Sequence, residues 1–143
     1  MRVRVRSKSS ANSKTLTSLE PLMTAYTVAN MAEVTGLTSH TLRYYEKESL
    51  LLNVPRDSAG RRYYSKDHLA AVKFISALRS TNMSIGTIKD YISLYRQGSH
   101  TGHKRMSILK NHEQSVIQHL SDVKISLQMI KKKIKHYEDI LGE

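Results

Sequence analysis

The sequence contains no cysteine, which removes disulfides, thiolate metal sites and thiol redox switching together. The cytoplasm is the expected compartment. No apolar run approaches the roughly 20 residues that span a bilayer, and no apolar signal core stands near the first residue, so no membrane partner is expected. Also missing are a Gly-rich phosphate loop, a nucleophile elbow, a metal-ligand spacing and a pair of carboxylates in an apolar context. The chain therefore reads as a non-enzyme with no cofactor. Acidic residues are scarce, 12 against 23 Lys and Arg, and the net charge of +11 over 143 residues favours a polyanion: nucleic acid first, an anionic surface second. Residues 1–25, 26–99 and 100–143 carry +4, +4 and +3 (five basic against one acidic, ten against six, eight against five). No single basic tail explains the excess.

What is present centres on Thr27 to Leu52. Val28, Met31, Ala32 and Thr35 fall at helical spacing behind Thr27 as N-cap, and Gly36 stands where a left-handed stop is needed. After this turn Leu37 points to the core. Thr38 or Ser39 caps a second helix that sets Leu42 and Tyr45 on one face and His40, Arg43, Tyr44 and Lys47 on the other. Two helices about a glycine turn, the second with a basic and aromatic outer stripe, make a helix-turn-helix whose second helix suits a major groove. Behind it, Val54-Pro55-Arg56, the turn Asp57–Gly60 and Arg61-Arg62-Tyr63-Tyr64 form two short arms of a hairpin, or wing, suited to phosphate contacts. The pattern leaves open which of Tyr63 and Tyr64 packs inward.

Ser65 caps the next helix, with Leu69, Val72, Ile75, Ala77 and Leu78 expected on its buried face. Ser84 caps another, with Ile85, Ile88, Ile92 and Leu94 inside and Lys89 available outside; Gly98 ends it. Phe74 and Met83 read as core fillers. From Gly102 to Leu141 the period becomes strict: Met106, Leu109, Glu113, Val116, Leu120, Val123, Leu127, Ile130, Ile134, Tyr137 and Leu141 alternate steps of three and four, broken only by Glu113. Such a helix is roughly 60 Å long and too long to bury its seam on a small domain, so it is expected to pair with a second copy. Lys131, Lys132, Lys133 and Lys135 read as a solvated face. His100 with His103, and His112 with His119, lack a carboxylate at matching spacing and read as solvated or packing residues rather than metal ligands. Residues 1–25, rich in Arg, Ser, Thr and Lys, are expected to be a disordered basic arm, a leader ahead of a start at Met23, or a transit peptide; Arg2–Arg6 alternates like a short strand without a visible partner.

The run Leu42-Arg43-Tyr44-Tyr45-Glu46-Lys47, then Leu50-Leu51, Arg56, Gly60 and Arg62-Tyr63-Tyr64, resembles the winged DNA-binding module of the MerR family of bacterial transcription regulators, and the likeness extends over about residues 26–141. Leu78-Arg79, Met83-Ser84, Ile88, Tyr91, Gly98, Thr101, Arg105, Ile108-Leu109 and Tyr137 are similar to the short NmlR/AdhR-like subgroup that answers electrophile or nitrosative stress. The resemblance implies a mainly α fold: a winged helix-turn-helix domain over 26–99 and a coiled-coil dimerisation helix over 100–143. It implies a homodimer joined by an antiparallel coiled coil through Leu109, Val116, Leu120, Val123, Leu127, Ile130, Ile134 and Tyr137. It further implies binding to a pseudo-palindromic promoter whose over-long spacer is distorted so that RNA polymerase engages both elements. Ser39, His40, Thr41, Arg43 and Tyr44 would face the groove, with Lys47 on the same stripe, while Arg56, Arg61, Arg62 and Tyr63 would hold the backbone. Two departures stand out. Ser49 replaces the family's usual glycine at the end of the recognition helix, and the missing cysteine means that thiol sensing does not carry over. Signal entry is then expected through the dimer interface, a partner or protein abundance. The competing expectations are a sequence-tolerant architectural or excisionase-like DNA binder, and a coiled-coil interaction protein.

Overall fold

A computed structural model describes residues 25–143. The arm or leader expected over 1–25, with its Arg2–Arg6 strand, lies outside the described residues except for Ala25. The chain divides into two compact units after Lys89, inside a helix and ahead of the 99/100 boundary expected from sequence.

In the first unit, strand β1 (Tyr26–Thr27) leads directly into helix α1 (Val28–Thr35). Thr27 Oγ1 accepts the Asn30 N–H at 3.1 Å and Asn30 Oδ1 accepts the Thr27 N–H at 3.2 Å, so two orphan donors of the first turn are satisfied reciprocally. Gly36, at φ +73°, closes α1 in the left-handed conformation expected of it. Helix α2 (Ser39–Lys47) is capped by Thr38 rather than Ser39, because the Thr38 hydroxyl accepts the Thr41 N–H at 3.1 Å. Leu42 and Tyr45 are buried, as their spacing requires.

The exit from α2 answers the question that Ser49 raises. Ser49 sits at φ +60°; its N–H reaches Glu46 O at 3.0 Å and the Leu50 N–H reaches Tyr45 O at 2.9 Å. These bonds form a Schellman closure with a serine in the position that favours glycine, and Leu50 and Tyr45, the two positions where such a closure favours apolar residues, are both buried. Helix α3 (Lys66–Ser80) ends the same way at Asn82, φ +72°, where the Met83 N–H bonds Leu78 O at 2.9 Å.

Between these helices lies the wing. Arg56 bridges Arg62 in antiparallel fashion, and the second arm continues as β2 (Tyr63–Tyr64), which pairs with β1 in the register Tyr26↔Tyr64 and Thr27↔Tyr63. That second pairing has no counterpart in the sequence reading. It settles the tyrosines: Tyr64 is fully buried, and Tyr63, pointing the opposite way along the strand, is 40% exposed. Burial pushes the Tyr64 phenol up, with the charge of Glu46 adding to it. His68, in the first turn of α3, completes a capping box with Ser65. Its Nδ1 accepts the Ser65 N–H at 3.0 Å, which leaves Nε2 to donate to Leu52 O at 2.7 Å and tie the loop after α2 to α3. The core comprises Met31, Leu42, Tyr45, Leu50, Leu51, Tyr64, Val72, Ile75, Leu78, Met83 and Ile88. Of the other expected core positions, Leu37, Leu69, Ile85, Ile92 and Leu94 are half-buried, while Ala77 is exposed and Phe74 is 38% exposed, on the outer face of α3.

Helix α4 (Ile85–Gln97) crosses the division between the units; the Ser84 hydroxyl accepts the Thr87 N–H at 3.1 Å and so caps it. In the second unit a 3₁₀ turn (Ser99–Thr101) leads into helix α5 (Gly102–Leu141), whose limits are those of the heptad pattern. Thr101 is the joint. Its buried hydroxyl donates to Leu94 O (2.7 Å) and Gly98 O (2.8 Å) and accepts from Arg105 Nε (3.1 Å), while the Arg105 guanidinium lies 5.2 Å from the Tyr95 ring centroid. No residue of α5 is buried.

Replacing Ser49 by Gly is expected to stabilise the first unit by about 0.5–1 kcal/mol. The left-handed strain of about 1–2 kcal/mol is relieved, offset in part by the greater unfolded entropy of glycine. Asn82→Gly should give less, since asparagine tolerates that region; thermal melts of the two variants, compared with the parent chain, measure the difference.

Candidate nucleic-acid interface

The outer face of α2 is set by what its inner face buries. With Leu42 and Tyr45 fixed inside, helical geometry turns His40, Arg43, Tyr44 and Lys47 outward, and all four are exposed, Tyr44 to 39%. Ser39 and Thr41 are half-buried in the first turn, the Thr41 hydroxyl lying 3.0 Å from that of Thr38. The Arg43 guanidinium runs back along the helix to Ser39, with Nε 3.3 Å from the backbone carbonyl oxygen and Nη2 3.3 Å from Oγ. Tyr44 leans against Tyr45 with ring centroids 6.3 Å apart.

The wing is organised by Asp57. Its Oδ1 accepts the Ala59 and Arg61 N–H groups, each at 2.9 Å, its Oδ2 pairs with Arg61 Nε at 2.9 Å, and its backbone carbonyl takes the Gly60 N–H. Arg56 donates across the turn to Gly60 O at 2.9 Å. Gly60 adopts φ +79°, the left-handed residue of a three-residue hairpin loop. The Arg61 backbone N–H is the foremost cause holding the Asp57 carboxyl below its ordinary range; burial opposes it, and the Arg61 side chain and the Ala59 N–H add to the lowering.

Two ion pairs fix α2 in this frame. Arg62 pairs with Glu46 at partly buried positions, which joins wing to helix, and Lys89 of α4 pairs with Glu48 just past the end of α2. Lys89 was expected to stand available outside; it is held by that carboxylate, which raises its pKa mainly through the hydrogen bond. Between α2 and the wing opens a groove of about 560 Å³ lined by Ser39, Arg43, Arg61, Arg62 and Tyr63 together with Thr27, Val28, Ala29, Asp57 and Gly60.

Five of the ten residues expected at a DNA surface therefore share one groove. His40, Thr41, Tyr44, Lys47 and Arg56 are not among its lining residues. The start of α1 was missed as part of this surface. The cap signal at Thr27 was legible, but that the β1–β2 pairing carries it beside the wing was not. On α5, Leu109 and Val116 are half-buried, and Leu120, Val123, Leu127, Ile130, Ile134 and Tyr137 stay between 47% and 57% exposed. Among the described residues no group of three or more His, Asp or Glu is placed to hold a metal, and no helix is long and apolar enough to cross a membrane.

Comparison with known proteins points one way. The family model described as MerR HTH family regulatory protein matches residues 26–94. An uncharacterised HTH-type transcriptional regulator of Haemophilus influenzae is 33% identical over 113 residues, covering 79% of this chain and 84% of that protein. The regulator AdhR of Bacillus subtilis is 34% identical over 91 residues, 64% of this chain and 65% of its own length. Among solved structures, HiNmlR, a MerR family regulator lacking the sensor domain and bound to promoter DNA, is 32% identical. It superposes with a TM-score of 0.75 over 83% of this chain and 96% of that one.

A depressed carboxylate pKa means that the contribution of Asp57 to wing order is present above the unfolded value, near 4, and is lost as pH falls through the lower folded value. Protection of the Ala59 and Arg61 amides, measured against their intrinsic exchange rates at each pH, should fall on acidification below about 4. Asp57→Ala should bring the same loss of protection at neutral pH, read residue by residue by NMR, with the amides of α3 unaffected.

Proposed function

The chain belongs to the MerR family of helix-turn-helix regulatory proteins, and on that footing we propose that it is a promoter-specific transcription regulator that binds double-stranded DNA as a homodimer. The observation that carries this reading is the exposed basic and aromatic face of α2 beside an arginine-lined groove. A helix of this kind enters a major groove, where His40, Arg43, Tyr44 and Lys47 reach base edges and Ser39 and Thr41 follow at its N-terminal turn. Arg56, Arg61 and Tyr63 on the wing contact phosphate and sugar, which orient the protein without reading sequence. Arg62 joins that surface while its pair with Glu46 holds the wing at a set distance from α2.

Homodimerisation is supported by the seam of α5, which the chain leaves half exposed along its length. Two copies in antiparallel array present two recognition helices related by a two-fold axis, and a symmetric dimer matches a pseudo-palindromic site. In this scheme the promoter spacer is over-long, the bound dimer distorts it, and RNA polymerase then engages both promoter elements. The distortion energy adds sequence preference at base pairs the protein does not touch. Without cysteine, the signal is not read by a thiol of this chain.

Genomic fragments selected by the purified protein and footprinted at near-physiological salt should show one protected inverted repeat across such a spacer. Arg43→Ala or Tyr44→Ala should cost about 1–3 kcal/mol at the selected site and little on random DNA. Arg61→Ala should weaken all sequences evenly and lower the slope of log K against log salt by about 1. Recovery of fragments with no shared repeat would instead establish a sequence-tolerant architectural binder.

A further inference from the structure

The seam of α5 contains one charged residue, Glu113, at a position equivalent to Met106 and Leu120 one heptad to either side. It is exposed, and among the described residues it forms no ion pair within the chain; nor does Lys131. A carboxylate at a seam position weakens a coiled coil unless the opposite helix answers it, and single polar residues of this kind specify how coils pair.

The homodimer proposed above determines what would answer it. Full antiparallel overlap of Gly102–Leu141 sets the two-fold axis midway between Ser121 and Asp122. At that axis the seam residues from Met106 to Tyr137 meet one another: Leu120 meets the partner's Val123, Val116 meets the partner's Leu127, and Glu113 meets the partner's Ile130. Farther out, Leu109 meets the partner's Ile134, and Met106 meets the partner's Tyr137. A knob in a coiled coil enters a hole of four residues spaced i, i+3, i+4 and i+7. For Glu113 that hole is the partner's Leu127, the partner's Ile130, the partner's Lys131 and the partner's Ile134. Three walls are apolar and the fourth is an ammonium.

Other arrangements answer Glu113 less well. Parallel, in-register pairing sets it against the partner's Glu113. A heptad slip one way puts it beside the partner's Glu138. A slip the other way trades Lys131 for Lys124, but carries Tyr137 and Leu141 past the end of the opposing helix. We propose that Glu113 and Lys131 form an intersubunit ion pair, made twice per dimer, that fixes the direction and register of the coiled coil; the proposal rests on the homodimer reading.

The full chain tests it, and its lack of cysteine allows a single spin label at Ser107→Cys, on an exposed position outside the seam. At a rise of 1.5 Å per residue, labels in the proposed register stand about 44 Å apart along the axis, against about 33 Å for the slip toward Lys124 and little more than label reach for a parallel pair. Glu113→Lys and Lys131→Glu should each weaken dimerisation about tenfold in sedimentation experiments. Both in one chain should restore affinity to within about threefold, and mixing the two single variants should give heterodimer above the statistical share. Lys131→Gln, with helicity checked by circular dichroism, should give a smaller loss in the same direction. An antiparallel dimer at about 44 Å that is indifferent to the swap overturns the ion pair and leaves the homodimer standing. A parallel distance overturns the pair as well. An unmodified chain that stays monomeric at micromolar concentration overturns both.

Discussion

Tyr64 is enclosed on every side, and the first unit is arranged around that burial. Its backbone pairs with Tyr26 across the β1–β2 ladder, its ring meets His68 edge-on with centroids 6.0 Å apart, and His68 in turn caps α3 and holds the carbonyl of Leu52. Because side chains alternate along a strand, burying Tyr64 obliges Tyr63 to face outward, into the groove beside Arg61 and Arg62. The same ladder brings Thr27 and the start of α1 to that groove. One buried ring thus links the core to the face proposed for DNA. Among the described residues the Tyr64 hydroxyl has no hydrogen-bond partner, and the fully buried apolar body of the side chain anchors the wing.

Around this anchor, charge works as positioning as much as attraction. Of the basic residues near α2, Arg62 and Lys89 are tied to Glu46 and Glu48, and Arg61 to Asp57. Arg61 is highly exposed, so its pair is weak and readily exchanged for a phosphate, whereas the Arg62 pair, about a quarter exposed on each side, is better shielded from solvent and salt. The net charge of +11 therefore overstates the number of cations ready for a polyanion, and the geometry of α2 depends on two carboxylates that a charge count alone would enter as losses.

Helix α5 poses the opposite problem. Forty residues long with none buried, it displays apolar side chains at a 3.5-residue period that nothing in its own unit covers. The joint at Thr101 fixes how the helix leaves α4, its hydroxyl donating to two carbonyls and accepting from one arginine. Order at the base and an open seam beyond it are what a helix built for a second copy would show.

Periodicity and local capping were enough to determine much from sequence. The limits of α5, the caps at Thr27, Ser65 and Ser84, the left-handed stop at Gly36 and the inward pair Leu42 and Tyr45 depend on residues within one or two turns of each other, so their physics is written locally. The left-handed strain at Ser49 followed from likeness to a family pattern and is present at φ +60°. What only the tertiary structure decided are relations between distant segments: the β1–β2 pairing and with it the choice of Tyr64 over Tyr63, the ion pairs of Glu46 with Arg62 and Glu48 with Lys89, and the outward turn of Phe74 and Ala77. A two-residue strand has too few positions to show a period, and a carboxylate sixteen or forty-one residues from its cation leaves no spacing signal. Such contacts are selected by which packing closes the core, and that is a property of the folded whole.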